Sequence, residues 1–468
     1  MKTNSDEMHN QEMLLKKIRQ SSEVFDKLAN SYEVWVPESG LLAGRRNRDK
    51  NDSKRKNLTD WSILSFLLEI DNCHYPMADS YLQYGIDGVI RIAAETLETL
   101  KNNLQSELQD QTQLDIAYLE SLLHVWKRFR QFVADHMVLA LECAKQETSD
   151  TKKKCYEKIA KICQNLTINK PNTFCEALQL FWFTYLFRSP FGAGCIGRLD
   201  QLLYPFYKHD CEMGIWDQQE AEKMLEEMFT RMNEINTGDT LRNLMLSGQD
   251  AKGNDQTNEI TYLILVAYEN TGGSEPHLNV RFHEKTPKKL RDNCINMLSS
   301  GSGQPTIYFD EAVLPAMEKA GICHEDACQY ANDGCTETVI AGKSAIVFWQ
   351  YEMVKTVELT LFGGNENPCV KPVSMKKNSI HGADFVPKTN LLIGIESKKP
   401  QELTTFSEFL SAFFEQMDHQ LDHYFLMIKQ KMQEDQTVSI TSPFTAGTFE
   451  KCLRTGNCLL YTSDAADE

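Results

Sequence analysis

Two kinds of hydrophobic pattern follow one another along the chain. Between residues 90 and 165, apolar positions recur every three or four residues, which predicts long amphipathic helices packed on one another. The segment 174–187 is almost continuously apolar and predicts a buried helix. After Gly197, short apolar runs such as residues 277–282 alternate with helical stretches such as 287–299. Strands separated by helices need crossover connections, so this part of the chain predicts a sheet with parallel pairs.

One stretch near the middle of the chain combines these elements with a reactive pair of side chains. Residues 306–309 predict a short strand, residues 310–320 predict a helix, and the chain breaks at 332–334. Cys335 and Glu337 follow on a loop predicted to be irregular. Because side chains at i and i+2 share one side of an extended backbone, the thiol and the carboxylate can face one pocket. This arrangement suits sulfur chemistry assisted by proton transfer.

Residue type alone favours a less reactive interpretation of this pair. Free cysteine is among the most commonly buried residue types, so Cys335 by itself is a small core residue. Glu337 by itself is a solvated or salt-bridged carboxylate, because only a minority of carboxylates act in acid–base chemistry.

A third apolar pattern, at helical spacing over residues 406–432, indicates a core stripe rather than a cofactor site. The glycines match neither a dinucleotide-binding motif nor a P-loop, which indicates no nucleotide site.

Composition narrows the class of protein. The chain has 468 residues with 41% hydrophobic and 25% charged residues, as in globular proteins. Its formal net charge of −17 argues against binding to nucleic acids or anionic membranes. The longest apolar run, 178–187, is too short to span a bilayer. The 14 cysteines form no CxxC pair and follow a polar N-terminal segment, which favours reduced thiols in the cytoplasm and no metal site.

The order of motifs around Cys335 decides between the two interpretations. Residues 334–337 read Gly-Cys-Thr-Glu, and this matches the Gly-Cys-x-Glu loop in the dehydratase and lyase branch of the glycyl radical enzymes. The chain resembles this family, which includes pyruvate formate-lyase, over several blocks in the family's order. These blocks are residues 176–186, 197–207, 246–263 and 276–283.

The resemblance implies an α/β fold: an incomplete ten-stranded β/α barrel of two half-barrels, with the cysteine loop threaded through its centre. Residues 1–457 are expected to be the N-terminal part of the pyruvate formate-lyase-type domain, with a helical segment 1–170 and a barrel segment 171–457. Residues 458–468 look non-native, and no Arg-Val-x-Gly-Tyr-like radical loop occurs. A truncated reading frame is therefore expected, with a polypeptide that is inactive alone. A radical domain supplied by a separate small protein is the less favoured alternative.

The resemblance also implies the chemistry. A partner activating enzyme that uses S-adenosylmethionine and an iron–sulfur cluster places a radical on the C-terminal glycine. The radical passes to the sulfur of Cys335, which takes hydrogen from a substrate carbon, while Glu337 transfers protons. His74 lies in a family block whose loop enters the substrate pocket in some dehydratases, so it is a candidate substrate contact; the favoured alternative is a hydrogen-bonded loop histidine. No cofactor bound to this chain, an anaerobic cell and a homodimer are expected.

The reaction type is narrowed by departures from the family's patterns. Pyruvate formate-lyase has two adjacent cysteines in this loop, whereas here Gly334 precedes a single cysteine. This difference argues for cleavage of a C–O, C–N or C–C bond over formate C-acetyltransferase activity, which stays the alternative. Choline and diol lyases usually have proline where this chain has Thr338, so those substrates are less favoured. The alternative from another class is an inactive relative that only assembles with another subunit.

Overall fold

The structure, a computed structural model, describes nine stretches of the chain. They are residues 4–45, 79–102, 109–188, 195–234, 242–334, 337–344, 353–365, 394–435 and 442–456. The chain divides into two compact units, one made of residues 1–346 and 440–460 and the other of 347–439 and 461–468. The domain limits predicted from the sequence, including the change at residue 170, stay predictions.

The first unit is built mainly from helices. In chain order they are α1 (Asn4–Ser31), α2 (Ser80–Asn102), α3 (Gln109–Gln146), α4 (Asp150–Ile168), α5 (Phe174–Arg188), α6 (Leu199–Glu212), α7 (Gln218–Glu234), α8 (Glu259–Thr271), α9 (Lys288–Ser299), α10 (Asp310–Lys319), α11 (His324–Ala327), α14 (Pro443–Ala446) and α15 (Glu450–Thr455). The long amphipathic helices and the buried helix predicted from the sequence are therefore confirmed as α2–α4 and α5.

Aromatic side chains hold the helices of this unit together. The ring of Phe25 on α1 stacks on that of Phe187 on α5, with centroids 5.1 Å apart. Trp126 on α3 stacks on Phe444 on α14 at 5.2 Å, and its indole nitrogen donates a hydrogen bond to the Phe444 carbonyl. Stacked rings bury a large apolar area and also fix the angle between their helices. α1, α3, α5 and α14 thus form one continuous core.

Three parallel strands form the sheet of the first unit. They are β1 (Asn243–Ser247), β2 (His277–Phe282) and β3 (Thr306–Phe309), in the order β1-β2-β3. The crossovers between them contain α8 and α9, and Gly197 makes a further parallel bridge to Leu244. The predicted strands and their parallel pairing are therefore confirmed.

The two faces of this sheet carry different side chains. The outer face presents Leu244, Leu246, Leu278 and Val280, all fully buried in the core formed by the helices. The inner face presents the alternate positions, because side chains in a strand point to opposite sides with period two. These positions are Asn243, Met245, Ser247, His277, Asn279, Arg281, Thr306 and Tyr308. The inner face is thus largely polar, and it lies against the segment that carries the candidate site.

The second unit contains α12 (Met353–Leu361), a short 3₁₀ helix (Pro400–Glu402) and α13 (Phe406–Asp435). Thr356 on α12 donates a hydrogen bond to Gln420 on α13. The prediction that the apolar stripe of α13 is core is wrong, because Phe406, Phe414 and Phe425 are 75%, 46% and 62% exposed. Among the described residues of this unit, α12 is the helix that packs against α13, and a single helix covers only part of its circumference.

Candidate active site

The candidate site is carried by a short β-hairpin. β4 (Ala331–Asp333) and β5 (Glu337–Val339) pair antiparallel, with Asp333 opposite Glu337. The sequence predicted an irregular loop here, and this prediction is corrected by the two strands. Their residues lack an alternating apolar pattern, so the pairing depends on contacts with the rest of the fold rather than on local preference. Gly334, Cys335 and Thr336 connect the two strands, and we call residues 331–339 the cysteine hairpin.

The carboxylate of Glu337 lies against the first residue of this connection. Gly334 has a φ of +53°, a conformation that favours glycine. A Cβ atom added there would lie only 2.6 Å from Oε2 of Glu337, so a larger residue would collide with the carboxylate. Glu337 itself is half-buried. The glycine thus allows the acid to approach the backbone immediately before Cys335.

The chain that enters the hairpin is fixed by a buried ion pair at the ends of β2 and β3. Arg281 donates from Nε and Nη2 to the two carboxylate oxygens of Asp310, at 2.8 and 2.9 Å, and both side chains are fully buried. Its third nitrogen donates to the carbonyl of Cys328 at 2.9 Å. The Tyr330 hydroxyl donates to Asp310 at 3.1 Å, and the guanidinium lies 4.0 Å above the tyrosine ring. Bidentate, buried pairs of this kind fix geometry strongly.

Close approach of Arg281 to the sheet requires a glycine after β1. Gly248 has a φ of +99°, and a Cβ atom there would lie 2.5 Å from the guanidinium carbon of Arg281. Any other residue would displace the arginine from Asp310. This glycine, which follows directly after β1, is therefore required by the anchor of the hairpin.

A second buried arginine supports the same segment. Arg198 donates to the carbonyls of Ser247, at 2.8 Å, and Cys328, at 3.3 Å. Asp200 accepts from the Ser247 backbone nitrogen and from the Thr261 hydroxyl, at 2.8 and 2.7 Å. These bonds hold Ser247 at a φ of +62°, which is unfavourable for a residue other than glycine.

Burial and nearby charges determine the protonation states of Arg198 and Tyr330. Burial and the nearby Arg281 lower the pKa of Arg198 to about 10, so its guanidinium stays charged at neutral pH. Burial raises the pKa of Asp200, although Arg198 and the hydrogen bonds it accepts oppose this shift. Burial also raises the pKa of Tyr330 well above its ordinary value, so its hydroxyl remains a hydrogen-bond donor. Arg198 and Tyr330 therefore keep the hydrogens that they donate at neutral pH.

The structure describes one of the three predicted site residues. Glu337 is placed on β5 beside the connection of the hairpin. Cys335 and His74 lie outside the described residues, so their predicted roles stay predictions.

Sequence reasoning missed the anchor formed by Arg281, Asp310 and Tyr330. A signal was present, because Arg281 alternates with Val280 and Phe282 in a predicted strand, and an arginine buried there needs a partner. Asp310 directly follows the neighbouring strand, and the sequence pattern there predicts only the start of a helix.

The described residues contain neither a candidate metal site nor a candidate membrane-spanning helix. Within the stretches that the structure describes, no three or more His, Cys, Asp or Glu side chains are grouped so that they could hold a metal ion. None of the helices in those stretches has the length and apolar character needed to cross a membrane.

Comparisons with known proteins were made for the whole chain. The sequence model of the family described as pyruvate formate lyase-like matches residues 72–460. Trans-4-hydroxy-L-proline dehydratase of Clostridioides difficile is 31% identical over 301 residues, which are 60% of this chain and 36% of that protein. (2S)-3-sulfopropanediol dehydratase of Klebsiella oxytoca is 26% identical over 394 residues, covering 80% of this chain and 44% of that protein. The matched part of the chain thus spans less than half the length of these relatives.

A solved structure supports the fold. The glycerol-bound form of the B12-independent glycerol dehydratase from Clostridium butyricum superposes with a TM-score of 0.73 at 19% identity, covering 98% of this chain and 68% of that chain. At this level of identity the similarity concerns the fold. The predicted α/β fold of glycyl radical enzyme type is therefore confirmed. The described residues of this chain contain three parallel strands and the antiparallel pair of β4 and β5.

Proposed function

The chain belongs to the pyruvate formate lyase-like family, and from this membership we propose that the full-length protein is a glycyl radical enzyme. It cleaves a C–O, C–N or C–C bond of a small metabolite, as a dehydratase, lyase or decarboxylase. Cys335 carries the thiyl radical, and Glu337 transfers the proton. The observation that supports this proposal best is the carboxylate of Glu337 lying against Gly334, the residue that precedes the single cysteine.

The glycyl radical, once installed by an activating enzyme that uses S-adenosylmethionine and an iron–sulfur cluster, supplies the one-electron oxidant. Cys335 would give up the hydrogen atom of its thiol to this glycyl radical and, as a thiyl, take one from a substrate carbon, which re-forms the S–H bond. Glu337 removes a proton from a neighbouring substrate hydroxyl or donates one to the leaving group. The product radical then takes a hydrogen atom back from the Cys335 thiol, which returns the sulfur to the thiyl state.

The proposal extends to a substrate contact, the cellular setting and the oligomeric state. His74 contacts the substrate, the protein works in an anaerobic cytoplasm, and the active form is a homodimer. Cleavage is favoured over acetyl transfer because one cysteine after Gly334 leaves no adjacent thiol to carry an acyl group. A closed barrel would keep water and oxygen away from the radical intermediates.

The proposal is tested with the full-length protein, activated without oxygen by its activating enzyme. Electron paramagnetic resonance should show the doublet of a glycyl radical. A substrate panel should begin with trans-4-hydroxy-L-proline, (2S)-3-sulfopropanediol and glycerol. Cys335→Ser should retain the doublet and lose turnover. Turnover by Cys335→Ser, or a folded and activated protein without a doublet, would refute the proposal.

The role of Glu337 is measured separately. Glu337→Gln removes the titrating group at almost constant size, and turnover should fall by about 10²–10⁴-fold, the usual contribution of general acid–base catalysis. Cys323→Ser and Glu325→Gln are matched controls, because they change exposed side chains on the same segment before the hairpin. Both controls should keep full activity. If Glu337→Gln behaves like Glu325→Gln, the carboxylate has no part in the reaction.

A further inference from the structure

We propose that Asn243, oriented by Asn279, is a positioning residue that fixes the peptide group leading into Cys335. This inference rests on the proposed function and adds to it the group that holds the reactive loop in place. It concerns the far end of the cysteine hairpin, away from the anchor formed by Arg281 and Asp310.

A chain of two side-chain amides reaches from the sheet to the hairpin. Nδ2 of Asn279 donates to Oδ1 of Asn243 at 2.8 Å, and Nδ2 of Asn243 donates to the carbonyl oxygen of Gly334 at 2.7 Å. Asn243 and Asn279 are only 2% and 3% exposed. Both stand on the inner face of the sheet, Asn243 as the first residue of β1. Buried amides bonded in this way resist rearrangement, because a broken bond leaves a polar group without a partner.

The direction of this chain is determined by chemistry. The backbone oxygen of Gly334 can only accept a hydrogen bond, so Asn243 must turn its nitrogen toward it. The oxygen of Asn243 then faces Asn279, which must donate. Asn279 therefore prevents the amide of Asn243 from flipping, and a flipped amide would present an oxygen to the Gly334 carbonyl.

The bonded oxygen belongs to the peptide group that joins Gly334 to Cys335. Peptide groups are planar, so a hydrogen bond on the oxygen also restricts the orientation of the nitrogen at the other end of the same plane. That nitrogen is the backbone nitrogen of Cys335. Asn243 thus acts on the cysteine through the backbone, without touching the reacting atoms.

A second side chain holds the same edge of the hairpin. Sγ of Cys195, which is buried, donates to the carbonyl oxygen of Asn332 at 3.0 Å. Asn332 lies two residues before Gly334, so Cys195 and Asn243 bond carbonyls on either side of Asp333. Burial raises the pKa of Cys195 well above its ordinary value, so the sulfur keeps its proton and remains a donor. One side chain from β1 and one from the segment before α6 thereby hold this part of the hairpin.

Asn243 is expected to affect the orientation of the loop more than the stability of the fold. Arg281 and Tyr330 already fix the entrance of the hairpin, whereas Asn243 bonds the residue next to the cysteine. Hydrogen-atom transfer depends steeply on the distance between the reacting atoms, and a displacement of about 1 Å can cost about 10²-fold in rate.

The first experiment compares Asn243→Ala with Asn258→Ala in the full-length protein. Asn258 is a matched control, because it is also a buried asparagine, 8% exposed, but it caps α8 and does not touch the hairpin. Alkylation of Cys335 by iodoacetamide, followed by peptide mass spectrometry, reports its accessibility without requiring activity. Asn243→Ala should accelerate alkylation severalfold, and Asn258→Ala should leave it unchanged. Equal rates in the two variants would overturn the proposal.

A second variant and a kinetic readout guard against misfolding. Asn279→Ala keeps the Asn243 side chain and removes the bond that orients it, together with a 3.3 Å bond to the His277 carbonyl, so its effect should be in the same direction and smaller. In the activated protein, Asn243→Ala should lower kcat at least about tenfold with KM unchanged and with the glycyl doublet intact. An unchanged kcat would overturn the proposal. If Cys335→Ser retained turnover, the proposed function would fail, but the alkylation comparison would still measure positioning.

Discussion

The two faces of the β1–β3 sheet are held in place by different physics. The outer face buries Leu244, Leu246, Leu278 and Val280 against helices, and dispersion and the hydrophobic effect set few directional demands. On the inner face, bonds of defined length and direction fix the cysteine hairpin and the segment that enters it: Asn279 orients Asn243, Asn243 bonds Gly334, and Arg281 bonds the Cys328 carbonyl. The outer face therefore stabilises the sheet, and the inner face uses that rigid support to position a loop. Volume matters most on one side and pairing on the other.

The largest effect is expected from breaking the ion pair of the inner face. Arg281→Met leaves the carboxylate of Asp310 buried without its partner, which typically costs about 3–5 kcal/mol. Pulse proteolysis in urea should show this loss for the first unit. The double variant Arg281→Met with Asp310→Leu should recover much of it, because no uncompensated charge remains. Arg91→Met removes an exposed ion pair and should have almost no effect.

A single-variant loss equal to that of Arg91→Met would show that the inner face does not depend on pairing. A double variant as unstable as Arg281→Met would show that the arginine acts through its packing rather than its charge. Either result would remove the contrast between the two faces.

The next prediction compares substitutions at two neighbouring positions of β2 that lie on opposite faces of the sheet. Leu278→Ala creates a cavity in the outer core and should cost about 3 kcal/mol, whereas Leu278→Ile keeps the volume and should cost less than about 1.5 kcal/mol. Asn279→Leu also keeps the approximate size but leaves Oδ1 of Asn243 without its donor. It should cost more than Leu278→Ile, by about 1–3 kcal/mol. Urea midpoints for the three variants measure this difference, and equal values for the two volume-conserving changes would contradict it.

A smaller, pH-dependent effect tests the helical core that supports the outer face. His136 lies between the rings of Phe132 and Phe183, at 4.5 and 4.9 Å. Its Nδ1 bonds the Phe132 carbonyl, and its Nε2 accepts from the backbone nitrogen of Trp35. A second proton would abolish that acceptor, and burial lowers the pKa of His136 to about 4.

The sign of this pH dependence follows from the depressed pKa. Above the ordinary value of 6.5 the histidine is neutral in both states, and its contribution to stability is complete. As the pH falls from 6.5 toward 4, the unfolded chain binds the proton first, so up to about 3 kcal/mol is lost. His136→Gln should flatten unfolding curves over this window. His124→Gln replaces an exposed histidine on the same helix and is the control, and equal slopes in the two variants would refute the role of burial.

The sequence by itself determined the parts of the fold that depend on periodicity. The spacing in α2–α4, the apolar run of α5 and the strand at Thr306–Phe309 follow from local preference and amphipathic pattern, and the structure confirms them. The motif Gly334–Glu337 and the order of the surrounding blocks also sufficed to identify the family. The stripe of α13 shows the limit, because periodicity predicts a helix but not what covers it.

Only the tertiary structure decided how the cysteine segment is held. β4 and β5 are three residues each and have no apolar alternation, so nothing local specifies their pairing. The partners of the hairpin and of the segment that enters it come from distant parts of the chain: Asn243 from β1, Arg281 from β2 and Cys195 from the segment before α6. A hydrogen bond depends on distance and angle between groups far apart in sequence, and those quantities exist only once the sheet has formed.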